Sequence, residues 1–184
     1  MLKKRVIGVV TVKDSWCVQS VGYKNYLPLG EPKYQVENLN RWCVDEILVN
    51  CIDRTKNNLK PDFDCLKEFQ SLGISTPIIF SGGISTKEDA ILSIKYGADR
   101  VLIDQGIYKG TNNLKEIADA IGRQAIILNS PVKLIKNKIR HFDYLNKEQM
   151  DFDIWCKKYL NKKFYSELML SDVDNEGLKG LINH

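Results

Sequence analysis

One segment, residues 77–105 (PIIFSGGISTKEDAILSIKYGADRVLIDQ), constrains the fold of this chain more than any other. It predicts a strand, a glycine turn, a helix, a short turn and a second strand. Thr86 is expected to cap the start of the helix, and Gly97 is expected to end it. A strand–helix–strand unit of this length joins two parallel strands through a right-handed crossover. The segment therefore predicts an α/β protein with a parallel sheet.

Gly82 and Gly83 follow the first strand of this unit. Glycine permits backbone conformations and close approaches that other residues do not. In α/β barrels, glycines at the carboxyl end of a strand can bind phosphate, but a glycine turn can equally serve only to close the loop between strand and helix. These residues alone leave both interpretations open.

The same alternation of strand and helix continues along the chain. Strands are predicted at 5–12, 45–51, 77–80, 100–103, 125–128 and 166–170, and helices from Pro32, at 62–72, from Thr86, at 112–121 and at 147–159. Segments 13–31 and 130–146 are predicted to lack regular structure. The pattern indicates a parallel sheet covered by helices. Six strands suit an open, doubly wound sheet, whereas a closed (β/α)8 barrel has eight, and periodicity does not distinguish the two.

Composition narrows the classes of function. The chain has 184 residues, 43% of them hydrophobic and 27% charged, with a formal net charge of +4, which is typical of a globular domain. Basic clusters at 133–140 and 157–163 are interpreted first as solvated faces and second as anion or partner patches. Because no basic stripe is interleaved with aromatic residues, we do not expect nucleic-acid binding.

Cysteine and histidine usage argues against a metal site. The five cysteines form no Cys-x-x-Cys pair, and His141 and His184 show no metal-ligand spacing with them. The sequence shows no signal peptide and no long apolar run. We therefore expect a cytoplasmic protein with reduced thiols and without membrane contact, metal or cofactor.

Seven motifs together resemble one known family. They are MLKKRVIGVVTVKD, GYKNYLPLGEP, VDEI, SGGIST, GADRVLI, GRQA and SELMLSDVDNEG. Their order and spacing resemble those of the cyclase subunit of imidazole glycerol phosphate synthase, with the weakest match between 130 and 160. The resemblance implies a (β/α)8 TIM-barrel-like fold. It would form a single domain over residues 1–184, with about six βα units present and the last two missing.

The resemblance also implies partners. Members of this family take ammonia from a docked glutaminase subunit and conduct it through the barrel to an active site at the C-terminal ends of the strands. Segment 22–32 most resembles a divergent branch associated with amidino-sugar formation on surface glycans. A glutaminase partner is therefore implied and, through that branch, a sugar amidotransferase.

The chain departs from the family at its two acid–base aspartates. The first position is Thr11, and the second falls at or beside Pro131. Neither side chain is an effective acid or base near neutral pH. Asp14, in the segment that follows, is a secondary candidate for a substitute base. These departures predict that the cyclase chemistry is lost.

The family's phosphate-binding positions are kept only in part. An Asp-Gln pair stands where the resemblance implies asparagine and threonine, and a carboxylate there would repel a phosphate dianion. The glycine turn and the segment after the sixth strand keep the family's pattern. The predicted phosphate- or ligand-binding set is Gly82, Gly83, Asp104, Gln105, Asp174 and Gly177.

Four charged residues, Arg5, Glu46, Arg100 and Glu167, stand at the starts of predicted strands. The resemblance implies that they form a gate for ammonia entry. The residues alone also allow a satisfied salt-bridge plug in the floor of a barrel, because buried charges need such partners. Asp99 corresponds to a position that faces the glutaminase, although an exposed turn aspartate requires no partner.

Three interpretations of function result, and whether the chain is an enzyme stays open. The one that we favour is a cyclase-like protein that partners a glutaminase and conducts ammonia for amidation of a surface-glycan sugar. The second is an active cyclase, a lyase of histidine biosynthesis. The third is a non-catalytic scaffold that binds the glutaminase.

Overall fold

The computed structural model describes residues 4–104, 111–160 and 163–178. These residues form ten strands and five α-helices, and none of the helices is long and apolar enough to cross a membrane. The strands are β1 Ile7–Lys13, β2 Trp16–Val21, β3 Asn25–Gly30, β4 Glu46–Cys51, β5 Ile78–Ser81, β6 Arg100–Ile103, β7 Ile126–Ile135, β8 Lys138–Asp143, β9 Glu148–Asp151 and β10 Glu167–Asp172. The helices are α1 Pro32–Arg41, α2 Phe63–Ser71, α3 Lys87–Lys95, α4 Thr111–Ile121 and α5 Phe152–Tyr159.

Six strands run parallel in the order β1-β4-β5-β6-β7-β10. Apart from two inserted hairpins, each strand lies beside the next one in the sequence, so the sheet winds in one direction. A doubly wound sheet would instead reverse its strand order at a switch point. The winding is that of a (β/α)8 barrel with six of its strands, which confirms the predicted fold class.

Segment 13–31, predicted to be a loop, is a hairpin extension of the sheet. β1 turns at Asp14 and Ser15, which have positive φ angles of 51° and 63°, and pairs with β2 through Val12 and Cys17. β2 then pairs antiparallel with β3. The loop prediction is wrong because most residues of β3 are exposed, and pairing between strands rather than an apolar pattern defines the hairpin.

Segment 130–146, predicted to be irregular, is a second hairpin. β7 runs to a turn at Lys136 and Asn137, which both have positive φ, and β8 returns antiparallel to it. β9 pairs with β8, so the helix predicted at 147–159 begins only at Phe152. Both predictions are corrected. Strand pairing prevails over the helical pattern at residues 148–151.

The helix boundaries follow their sequence signals. The Thr86 hydroxyl accepts a hydrogen bond from the Asp89 amide, and the Asp89 carboxylate accepts one from the Thr86 amide, which forms a capping box. Pro32 is the first residue of α1. Gly97, with a φ of 108°, follows the end of α3. These observations confirm the three predicted signals.

The central strands bury side chains on both faces. Outward side chains such as Phe80 and Leu128 pack against the helices. A separate apolar cluster lies on the inner face and consists of Leu48, Ile79, Leu102, Ile127 and the partly buried Met169. Burial on both faces is typical of parallel strands in α/β folds. The pairing of the strands places this inner cluster between the N-terminal and the C-terminal ends of the parallel strands.

The two outermost parallel strands, β1 and β10, are linked by contacts other than strand pairing. Within the described ranges, β10 pairs only with β7, and residues 7–11 of β1 pair only with β4. At the strand starts, Arg5 contacts Glu167. At the other end, Glu176 accepts hydrogen bonds from the turn between β2 and β3. Side chains and loops therefore connect the two edges at both ends.

Candidate functional site

Four charged side chains meet at the N-terminal ends of the parallel strands, and we call this cluster the floor ring: Arg5, Glu46, Arg100 and Glu167. Arg5 donates to Glu46 Oε1 at 2.8 Å and to Glu167 Oε1 at 2.6 Å. Arg100 lies 3.5 Å from Glu46 and 3.1 Å from Glu167. The predicted set is thus brought together in space, while its role as a gate stays a prediction.

The floor ring is electrostatically balanced but not fully hydrogen-bonded. Hydrogen bonding to Glu167 and the charge of Glu46 raise the pKa of Arg5. Burial raises the pKa of Glu167, but hydrogen bonds from Arg5 and Arg100 outweigh it, so the pKa lies below its ordinary value. Glu46 Oε2 and Arg100 Nε are buried without a hydrogen-bond partner among the described residues. The ring therefore stabilises two anions and keeps some unused bonding capacity.

A cavity of about 500 Å³ lies at the opposite, C-terminal ends of the strands, and we call it the pocket. The C-terminal ends of five strands present polar inner side chains to it, each two residues beyond a member of the inner apolar cluster. These side chains are Asn50, Ser81, Asp104, Asn129 and Ser171. The pleat of the strands produces this arrangement, because alternate residues face the same side. The pocket wall is therefore mostly neutral and capable of hydrogen bonding.

Asp104 brings a carboxylate to the pocket wall directly after β6. The Tyr144 hydroxyl donates to Asp104 Oδ2 at 2.6 Å. Burial and the adjacent Asp104 raise the pKa of Tyr144 far above its ordinary value, so the phenol stays protonated and keeps donating. Tyr144 lies in the turn between β8 and β9, where Asp143 accepts hydrogen bonds from the two amides that follow Tyr144.

The glycine turn after β5 is packed against neighbouring backbone. A Cβ atom at Gly82 would lie 2.2 Å from the Cys51 carbonyl oxygen, and one at Gly83 would lie 2.6 Å from the Leu59 carbonyl oxygen. The Gly83 amide donates to Thr55 Oγ1 at 3.1 Å. Backbone packing alone thus requires both glycines, which supports the loop-closing interpretation. Their assignment to phosphate binding stays a prediction.

The two positions expected to carry acid–base aspartates, Thr11 and Pro131, both belong to the inner face. Thr11 pairs in register with Asn50, and Pro131 pairs with Ser171. Asp14 lies in the turn of the first hairpin, exposed and bonded to Lys13, and it is not part of the pocket wall. None of these three side chains brings a carboxylate into the pocket, and the carboxylates that line it are Asp104 and Asp174.

Of the other predicted ligand residues, Asp174 lines the pocket and accepts a hydrogen bond from Lys133 Nζ at 2.8 Å. Gly177 packs against the β2–β3 hairpin, since its Cβ would lie 2.1 Å from the Ser20 carbonyl oxygen. Gln105 lies outside the described residues. The structure therefore places Asp174 and Asp104 on one cavity and gives Gly177 a packing role.

Glu176 holds the first hairpin against the segment that follows β10. Its Oε2 accepts hydrogen bonds from Ser20 Oγ at 3.1 Å and from the Tyr23 amide at 2.9 Å, and its backbone oxygen accepts one from the Gly22 amide at 2.9 Å. Gly22 and Tyr23 line the pocket. Glu176 thus fixes part of the pocket mouth, a role that the loop prediction for 13–31 does not reveal.

Lysines on separate loops surround the pocket. Lys24, Lys56 and Lys147 are exposed and belong to the β2–β3 turn, the loop after β4 and the loop before β9. Lys133, on β7, is bonded to Asp174 and lies 4.5 Å from the centre of the Phe142 ring. No periodic pattern in the sequence predicts that Lys24, Lys56 and Lys147 lie together, because distant segments supply them.

Asp99 has a structural partner of its own. Its Oδ2 accepts a hydrogen bond from the Ile78 amide at 2.8 Å, at the start of β5. Asp45 makes the same contact two βα units earlier, where its Oδ2 accepts a hydrogen bond from the Val6 amide at 2.8 Å. This repeated contact accounts for the aspartates that stand directly before β4 and β6. Docking of a partner at Asp99 stays a prediction.

Fold and site together define a class: a singly wound, barrel-type parallel α/β protein with its pocket at the C-terminal ends of the strands. Comparison with known proteins then identifies the family. The profile of the family described as "Histidine biosynthesis protein" matches residues 5–183, and the chain belongs to this family.

Individual relatives agree with this assignment. The chain is 32% identical over 179 residues to "Putative imidazole glycerol phosphate synthase subunit hisF2" of Vibrio vulnificus, which covers 96% of this chain and 65% of the relative. It is 27% identical over 187 residues to "Imidazole glycerol phosphate synthase subunit HisF" of Staphylococcus carnosus, covering 100% of this chain and 73% of the relative. The chain thus spans about two thirds of the length of these curated relatives.

Proposed function

We propose that this chain is a cyclase-subunit-like member of its family that partners a glutaminase and conducts ammonia through its interior. The ammonia would serve the amidation of a sugar, with a surface-glycan sugar as the acceptor. The family's own cyclisation is lost under this proposal. The relatives named as imidazole glycerol phosphate synthase subunits support the cyclase-like part.

One contrast carries the proposal. The four charges implied by the resemblance meet in the floor ring, whereas Thr11 and Pro131 place no carboxyl group on the inner face. Between them lies the inner apolar cluster, in which ammonia, a small neutral molecule, is less costly to transfer than a charged species. Retained entry features without the acid–base pair favour transfer of ammonia over cyclisation.

Specific observations also favour the two competing functions. Asp104, bonded to Tyr144, is a carboxylate inside the pocket and would be the acid–base group of an active cyclase. A non-catalytic scaffold is favoured by the ion pairs that join every member of the floor ring. A measurement of coupling separates these functions from the proposed one.

The experiment measures how much product is amidated for each glutamine that the partner glutaminase hydrolyses. Arg5→Ala opens the floor ring, so a conduit predicts that this ratio falls while ammonia escapes to solvent. Arg41→Ala, at the exposed end of α1, removes the same charge away from the ring and should leave the ratio unchanged. If Arg5→Ala folds, docks and keeps the wild-type ratio, the conduit is wrong and the scaffold is favoured.

A further inference from the structure

The charges around the pocket are distributed unequally. Asp104 and the neutral side chains of the strand ends form its wall, while Lys24, Lys56 and Lys147 are exposed at its edge. A ligand with the opposite distribution would match this arrangement. The chemistry of the ligand can therefore be inferred from the charges of the pocket, without reference to the floor ring.

The wall around Asp104 suits donors rather than anions. The Tyr144 hydroxyl occupies one bonding direction of Asp104 Oδ2, but each carboxylate oxygen accepts more than one hydrogen bond. Asn50, Ser81, Asn129 and Ser171 add neutral donors and acceptors, with Ser171 already bonded to Asn129 at 2.7 Å. A hydroxyl or ammonium group can bond to this wall, whereas a phosphate would be repelled by Asp104.

The glycine turn after β5 has few hydrogen-bond donors left for a phosphate. The Gly83 amide already donates to Thr55, and the backbone of residues 59–61 fills the space beside Gly83. Gly82 is packed even more closely, against Cys51. An anion could use the Gly83 amide only by displacing Thr55, which also contacts Tyr144. The Gly83 amide is therefore already used within the protein and is not available to an anionic group without this displacement.

The edge of the pocket has the opposite character. Lys24, Lys56 and Lys147 come from three different segments and all line the same cavity. The fourth lysine of the cavity, Lys133, is paired with Asp174. Three exposed ammonium groups around one opening favour a single anionic group of the ligand at the edge.

We propose that the pocket binds a small polyhydroxylated ligand that carries one anionic group, held at the lysine edge, and an amine or hydroxyl group against Asp104. A ligand with a phosphate at each end does not fit, because its second phosphate would meet Asp104. A cavity of about 500 Å³ is large enough for a monosaccharide derivative.

This inference deepens the proposed function, since such a ligand would be the acceptor of the ammonia, but its test needs no glutaminase. Binding to the purified chain is measured by calorimetry or ligand-observed NMR with four probes. They are glucosamine 6-phosphate, glucose 6-phosphate, glucosamine and fructose 1,6-bisphosphate. A failure of binding is thereby distinguished from a failure of ammonia transfer.

The expected order is glucosamine 6-phosphate tightest, with about tenfold weaker binding when either the amine or the phosphate is removed. Fructose 1,6-bisphosphate should bind more weakly than glucosamine 6-phosphate. Asp104→Asn should abolish the preference for glucosamine 6-phosphate over glucose 6-phosphate, and Tm reports whether this variant is folded. Lys24→Gln, Lys56→Gln and Lys147→Gln combined should remove the preference for glucosamine 6-phosphate over glucosamine.

The control for charge is Lys67→Gln, Lys95→Gln and Lys115→Gln combined, on helices α2, α3 and α4, which changes the net charge equally. It should leave all four affinities unchanged. The proposal is overturned if the bisphosphate binds as tightly as glucosamine 6-phosphate, if both triple variants act alike, or if none of the probes binds at millimolar concentration.

Discussion

The two ends of the same strands satisfy their polar groups in different ways. In the floor ring, two arginines and two glutamates neutralise one another within 3.5 Å. In the pocket, Asp104, the Lys133-bonded Asp174 and several neutral side chains face a cavity of about 500 Å³ with exposed lysines at its edge. Charges that are paired internally need no ligand, whereas the pocket surface has capacity for one. The comparison predicts that loss of a charge destabilises the protein more at the floor ring than at the pocket.

The largest expected effect is on cyclase turnover, which tests whether the pocket is a cyclase active site. Without an aspartate at Thr11 or Pro131, the chain should not cyclise the ribulosyl aminoimidazole substrate of the family above background, because each lost acid or base typically costs about 10²–10⁴-fold in rate. The assay uses ammonium salt, so that no glutaminase is required. Turnover of about 1 s⁻¹ or faster, a rate ordinary for enzymes, would assign the chemistry to Asp104 and Tyr144 and refute the proposed loss.

The floor ring should respond more strongly to charge removal than the pocket edge. Arg100 is 12% exposed in its side chain and contacts both glutamates, so Arg100→Ala leaves the buried Glu46 with only the more exposed Arg5. We expect the free energy of unfolding to fall by about 3 kcal/mol. Urea denaturation measures it, with Arg100→Lys as the charge-conserving variant and Lys56→Ala as the pocket-edge variant.

Arg100→Lys should lose less stability than Arg100→Ala, and Lys56→Ala should change it by less than about 0.5 kcal/mol. If Arg100→Ala and Lys56→Ala were equally mild, the floor ring would not be the more stabilising of the two regions.

The pH dependence of stability tests the contribution of His141, a buried residue of the hairpin that carries Tyr144. It is 3% exposed, its Nδ1 lies 2.8 Å from Ser130 Oγ, and its ring stacks on Trp155. Burial lowers its pKa to about 4, although Asp143 acts in the opposite direction. The unfolded chain, with an ordinary histidine pKa, binds a proton near pH 6.5 that the folded chain refuses. Stability is therefore fully present above pH 6.5 and is lost as the pH falls towards 4.

The expected loss from this single group is about 3 kcal/mol by pH 4. Denaturation curves for wild type and His141→Gln, recorded from pH 7 to pH 4, isolate it, because the carboxylates titrate in both proteins. The difference between the two curves should shrink as the pH falls. A difference that stays constant with pH would show that His141 does not titrate between the folded and unfolded states.

The smallest effect concerns the pocket mouth. Glu176→Gln weakens the acceptor for Ser20 Oγ and the Tyr23 amide, so local stability should fall by about 1 kcal/mol. Hydrogen exchange at the Tyr23 amide should become faster. The Gly22 amide, bonded to the backbone oxygen of the same residue, is an internal control and should change less. Equal changes at both amides would mean that the whole turn, not the carboxylate contact, controls opening.

Local signals predicted the repeating parts of the fold well. The capping box at Thr86, the proline at the start of α1 and the glycine after α3 depend on a few neighbouring residues, and all three are present. The six parallel strands were also predicted, since each is a short β-branched or apolar run. The two hairpins were missed because their strands are defined by partners far along the chain and by turn residues with positive φ.

The candidate site was predicted unevenly for the same reason. Four charged residues lie at the N-terminal ends of parallel strands, so their proximity could be inferred once the strands were assigned. They are Arg5, Glu46, Arg100 and Glu167. Tyr144 could not be inferred, because it reaches Asp104 only through the second hairpin, across 40 positions of the sequence.

The sequence by itself determined that the chain alternates strands and helices, and through its motifs it pointed to the family that comparison then showed. Only the tertiary structure decided that the sheet winds in one direction, that the glycine turn is packed against neighbouring backbone, and that Asp104 and three exposed lysines line one cavity. The physical reason is the distance along the chain over which each kind of interaction acts. Periodicity and capping act within a few residues, whereas winding, close packing and the field of a pocket arise from groups that only folding brings together.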